Sequence, residues 1–154
     1  MKYCKIFLIP FFILMLFITE SCKKSEEVDD YLLCPECTNE EISGDYFGNG
    51  MYYTDNNTDI SEDVEVNLNI NHIEGKINEI NIEVPNKFSS SYFVIKEDGS
   101  AAMTISGTTQ SINITIYKKS NEYRISGTAK KYHAQADSTF IDHSVSFTVL
   151  KRKS

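Results

Sequence analysis

The chain has 154 residues, the size of one domain. A hydrophobic content of 41% excludes a wholly disordered chain, and only 3 Pro and 7 Gly exclude collagen-like and proline-rich architectures. Its net charge of −7, from 15 basic and 22 acidic residues, argues against a nucleic-acid partner, which would need a basic face.

The first element is the front of the chain. Lys2 and Lys5 precede an uninterrupted apolar run over 6–18, 13 residues long. That is too short to cross a bilayer core, which takes ~20 helical residues. It fits the apolar segment of a secretory signal. The segment ends at Ser21-Cys22 rather than at an A-x-A site. A small residue followed by Cys, directly after such a run, resembles a bacterial lipoprotein signal. The resemblance implies cleavage before Cys22, a diacylglyceryl group on its thiol, and an acyl chain such as palmitate on the new amino terminus. Thr19 stands where that family most often has Leu, and Glu20 is a second departure. The competing reading is an ordinary signal with an incidental Cys. The stretch after Cys22, Lys23-Lys24-Ser25-Glu26-Glu27 and then Val28-Asp29-Asp30, resembles the surface-export signal of Bacteroidetes lipoproteins. It also reads as a solvated tether on a periplasm-facing anchor.

The expected organisation is therefore a signal over 1–21, a lipidated Cys and acidic tether over 22–42, and a β-domain over 43–152. Removing 1–21 takes away two of the 15 basic residues and one of the 22 acidic ones, leaving 13 against 21 and a net charge of −8. The expected location is the outer membrane, lipid-anchored and facing the cell surface. Cys34 and Cys37 remain in the tether as a C-x-x-C pair. Outside the cytoplasm a small disulfide loop is one reading. A redox dithiol would want a helix start in a βαβ context, and half of a zinc site would want two more ligands. Neither context is evident, and His72, His133 and His143 are scattered.

From residue 43 onward the apolar residues alternate with period two. Val64, Val66, Leu68 and Ile70 point one way, with Glu65, Asn67, Asn69 and Asn71 between them. Ile80, Ile82 and Val84 repeat the pattern, as do Met103 and Ile105, the Ile112–Ile114–Ile116 series, Tyr123 through Ala129, and Val145, Phe147 and Val149. Turn residues separate these segments, Asp98-Gly99 most distinctly. About eight strands are predicted, over 44–54, 62–73, 76–84, 90–96, 100–107, 111–118, 122–134 and 139–151. Short links favour an antiparallel up-and-down meander, which can close into a barrel. A β-sandwich is the alternative and would want longer crossovers.

The opening Ile42-Ser43-Gly44-Asp45-Tyr46-Phe47-Gly48-Asn49-Gly50 and the closing Val145-Ser146-Phe147-Thr148-Val149-Leu150-Lys151-Arg152, with the strand count, resemble the calycin-like or lipocalin-like barrels of small Bacteroidetes lipoproteins. Lipocalins carry G-x-W on the first strand. Here Gly44-x-Tyr46 takes that place, and the chain has no Trp. The resemblance implies that Tyr46 closes one barrel end with Arg152 or Lys151. It also implies a cup for a small apolar or amphipathic molecule, lined by Val64, Val66, Leu68, Ile80, Ile82, Met103, Ile105, Ile114, Val145 and Phe147. The same residues would equally fill a packed barrel.

Catalytic chemistry finds little footing. Asp142-His143-Ser144 places neighbours on opposite sheet faces, so no triad is expected there. Gly48-Asn49-Gly50 lacks the helix and the Lys-Ser/Thr pair of a phosphate loop. Asp55, Asn57, Asp59 and Asp63 have the alternating spacing of a calcium loop, but Ile60 replaces the turn Gly and Val66 the bidentate Glu, so a solvated hairpin is the expectation. No metal or cofactor is expected. Asp137-Ser138-Thr139 matches an O-glycosylation sequon of Bacteroidetes secreted proteins, with Ser138 the acceptor. The expected function is non-enzymatic. One reading is a barrel that binds a small apolar ligand. The other is a filled barrel that meets a surface protein or glycan through its loops. In both readings the membrane is engaged through the lipid.

Overall fold

The computed structural model describes residues 30–54, 61–135 and 138–153. The alternating segments form β2 Gly44–Thr54, β3 Ser61–Glu74, β4 Ile77–Val84, β5 Phe88–Ile95, β6 Ala102–Ser106, β7 Gln110–Lys119, β8 Glu122–Gln135 and β9 Ser138–Lys151. Two short elements precede them: β1 Leu32–Leu33 and the single-turn helix α1 Asn39–Ile42. Neither has enough residues to show a period, so the sequence pattern does not reveal them.

All pairings are antiparallel, and the order across the sheet is β1-β7-β8-β9-β2-β3-β4-β5, with β6 also on β7. The eight long strands make an up-and-down meander curled into a half-barrel, consistent with a calycin-like barrel. β9 returns alongside β2, in a register that sets Tyr46 opposite Lys151 and Tyr52 opposite Val145. The ladder is interrupted between β5 and β6, which are consecutive but do not pair. Gln110 crosses this seam: its Nε2 donates to the Ser91 carbonyl at 3.0 Å, and its Oε1 accepts from Ser90 Oγ at 2.8 Å.

The turns 74–77, 95–102 and 119–122 lie at one end, which we call basal, together with β1, α1 and the end of β9. The turns 84–88 and 106–110 lie at the other, apical end. Gly99 adopts φ +71° in a turn closed by the Ser100 amide on the Glu97 carbonyl, but β5 and β6 do not pair, so the hairpin that Asp98-Gly99 suggests does not form here.

One continuous core fills the inward side, built from Val66, Leu68, Ile70, Ile80, Ile82, Met103, Ile114, Val145 and their neighbours. Two inward positions are glycines for steric reasons. A Cβ on Gly48 would fall 2.2 Å from the Thr148 carbonyl oxygen, and one on Gly127 would fall 2.3 Å from that of Asn113. The strands bend sharply there, and side-chain-free positions let the sheet curl.

The basal end is closed by the segment that enters the domain. Cys34 and Cys37 are bonded to each other and buried. The Cys34 amide donates to the Ile116 carbonyl at 3.1 Å, which joins the loop to β7. Thr38 caps α1: its Oγ1 accepts from the Glu41 amide at 3.2 Å, while Glu41 Oε2 accepts from the Thr38 amide at 2.8 Å. Ile42, at the end of α1, packs into the core.

Candidate functional site

Nine of the ten predicted lining residues are buried, and the barrel interior is packed at their positions. Val66, Ile80, Ile114 and Val145 have no surface accessible to water, so no water-sized void opens on them. Val64, Leu68, Ile82, Met103 and Phe147 are buried as well. Ile105 is the correction in this set: it is 38% exposed. β6 pairs on one side only, and Ile105 sits near its apical end beside the unpaired seam.

Tyr46 lies at the basal end. It is buried, and its hydroxyl donates to the Ile42 carbonyl at 2.7 Å. Burial pushes its phenol pKa upward. Arg152 does not take part, which corrects the expected pairing. Its guanidinium lies 5.4 Å over the ring of outward-facing Phe47, because strand alternation turns residue 152 away from the core. Lys151 is the basic residue on the inner side. Its Nζ donates to the Glu41 carbonyl at 2.5 Å and lies 5.1 Å over the Tyr123 ring. Burial pulls its pKa down. Glu41 Oε1 also accepts from Lys118 Nζ at 3.0 Å and from the Tyr123 hydroxyl at 3.2 Å. Led by the hydrogen bond from the Thr38 amide, these contacts lower the Glu41 pKa from 4.5 to about 2.

A cleft of about 860 Å³ opens on the outer face of the sheet. Its walls are short polar side chains brought into ranks by the register. One rank runs Thr104, Asn113, Thr128, Ser146 across β6, β7, β8 and β9; the next runs Thr115, Ser126, Thr148, Asn49 from β7 to β2. Ser126 and Thr148 hydroxyls stand 3.0 Å apart, and those of Thr128 and Ser146 3.3 Å. Asp63 and Lys130 are the charged residues along this groove, and the exposed Met51 and Ile105 provide apolar surface. The alternation of the sequence marks this outer face only as wet. The available signal was the run of short Ser, Thr and Asn residues at outward positions of adjacent strands, where Lys and Glu are the commoner solubilising choice.

At the apical end the structure changes one expectation about the histidines. A bulge shifts the β8–β9 register from Lys131 opposite His143 to Tyr132 opposite Ile141. The extra residue, Asp142, is thereby turned to the same side as His143, rather than the opposite one. Its carboxylate lies 3.5 Å from His143 Nε2 and 3.9 Å from His133 Nδ1. His143 Nδ1 meets the Tyr52 hydroxyl at 2.5 Å. The carboxylate separations exceed hydrogen-bonding length, the hydroxyl belongs to a core phenol rather than to Ser144, and the 860 Å³ groove is not lined by these residues. No aligned triad results. Among the described residues no group of three His, Cys, Asp or Glu side chains converges as a metal site.

Cys22, the signal over 1–21 and the calcium-like Asp55, Asn57 and Asp59 lie outside the described residues; Asp63 is exposed on β3. Ser138 opens β9, and Asp137 before it lies outside the described residues. No family model matches this chain, and no curated protein matches it.

Proposed function

We propose that this is a lipid-anchored outer-membrane lipoprotein facing the cell surface, that its barrel is a filled scaffold, and that it works without catalysis by binding a neutral glycan on the outer face of the sheet. The observation that carries this reading is the distribution of space: inward positions are packed into one core, while the 860 Å³ groove lies outside and is walled by hydroxyls and amides. A sugar presents hydroxyls that both donate and accept, and Ser, Thr and Asn match that capacity without a charge to desolvate. The exposed apolar surface of Met51 suits the C–H faces of a pyranose ring. Anchoring rests on Cys22: one acyl chain binds a membrane marginally, whereas two or three hold firmly.

Titration calorimetry with neutral oligosaccharides (glucans, mannans and xylans) tests the glycan reading. At least one should bind, and Thr128→Tyr, which fills the groove, should weaken it tenfold or more. Absence of binding to every neutral glycan, together with an apolar molecule retained by host-purified protein in native mass spectrometry, would overturn it in favour of a ligand inside the barrel.

A further inference from the structure

Ten large apolar side chains are exposed among the described residues, and eight of them lie in the basal half of the barrel; Met51 and Ile105 are the two that do not. Six of the eight gather on either side of the seam. Ile77 and Ile95 are directly opposite each other on β4 and β5, Phe93 is two residues away on the same outer face, and Ile73 near the end of β3 is exposed. Leu32 and Leu33 form β1 on the far side of the seam. The Lys96 ammonium donates to the Pro35 carbonyl at 3.2 Å, tying the residue after β5 to the segment after β1. Phe93 is 60% exposed and Leu32 72%, values that a solvated protein gains nothing by maintaining together in one region.

The chain arriving from Cys22 is fixed at this same end. Lys119 Nζ pairs with Asp30 at 3.0 Å, the Tyr31 hydroxyl donates to Glu122 at 3.2 Å, and β1 adds to β7 at Tyr117 and Lys118. Seven residues lie between Cys22 and Asp30, a reach of at most ~28 Å when fully extended. A lipid on Cys22 therefore holds the basal end within reach of the bilayer.

We infer that the basal rim is a membrane-docking surface, with Leu32, Leu33, Ile73, Ile77, Phe93 and Ile95 seated in the interfacial layer of the lipid. The inference rests on lipidation of Cys22. Basic residues at this end are largely neutralised within the protein, as Lys76 pairs with Asp98, Lys118 with Glu41, Lys119 with Asp30 and Lys153 with Glu122, so the docking does not depend on anionic headgroups. The contact is apolar and independent of lipid charge. Docking this way leaves the outer groove and the apical loops directed away from the surface.

The absence of Trp makes a direct test available. The full-length protein, processed by its host, is reconstituted into phosphatidylcholine vesicles with a single Trp at Phe93→Trp or Ile95→Trp, and at Thr108→Trp on the apical side as reference. Mass spectrometry of Cys22 accompanies each sample. The basal Trp should emit at shorter wavelength and be quenched at least twofold by brominated phosphatidylcholine, unchanged when anionic lipid is added, while the apical Trp is not quenched. With Cys22 lipidated, an unquenched basal Trp overturns the docking surface and leaves the anchor standing. A blue-shifted but unquenched basal Trp in a cross-linkable dimer assigns the rim to a second copy of the chain and also overturns it. Cys22 without lipid, in protein recovered from the soluble fraction, removes the anchor and the docking surface together.

Discussion

Glu41 does several jobs with one carboxylate. It completes the cap of α1 through Thr38 and draws Lys118 and Tyr123 from two β-strands onto a helix of one turn. The charged form is the one stabilised, so its folded pKa of about 2 lies below the ordinary 4.5. The sign follows: the contribution is fully present above pH 4.5 and is lost as pH falls towards 2. Because the group is partly exposed, solvent screening reduces it to on the order of 1 kcal/mol. Glu41→Gln should lower stability by about that amount at pH 7 and flatten the urea midpoint between pH 5 and pH 2. An unchanged acid slope in the variant would show that Glu41 is not its source. This role was invisible in the sequence, where Glu40 and Glu41 read only as part of an acidic tether; Lys118 and Tyr123 are 77 and 82 residues away.

At the scale of elements, strand bends matter as much as strand pairs. Gly127 faces Ile114 on one side and Phe147 on the other, with no room for a Cβ. Gly127→Val should destabilise the domain by about 1–3 kcal/mol or more through forced backbone movement, read as a lowered urea midpoint. Stability equal to the parent would mean that the bend is not needed. The eight long strands were legible in the sequence because one buried face writes a period of two, and because turn residues mark the breaks. Their outward residues were legible only as polar. Which of them become neighbours depends on register, and a shift of one residue exchanges the faces. The ranks of hydroxyls, the seam beside Ile105 and the bulge that brings Asp142 beside His143 are all register properties. Arg152 and Lys151 show the same limit at the chain's last strand, where adjacent residues of like charge serve opposite faces.

For the molecule as a whole, the proposed anchor is separable from the fold. Among the described residues, none of the core residues precedes Cys34. Cys22→Ser should therefore move the protein from the membrane fraction to the soluble fraction without lowering its thermal midpoint. Retention in washed membranes would count against lipidation at that position.

The meeting of β9 with β2 has a consequence for biosynthesis. β9 lies between β8 and β2 in the middle of the sheet, yet it is the latest strand to leave the ribosome. Until it arrives, β2–β5 and β6–β8 are separate ribbons, each too small to bury its apolar face. Pairing across about a hundred intervening residues is also slow, since loop-closure entropy must be met before the contacts form. Under the export proposed above, a polypeptide that stays pliable until β9 arrives is suited to threading a translocation channel before the stable barrel forms.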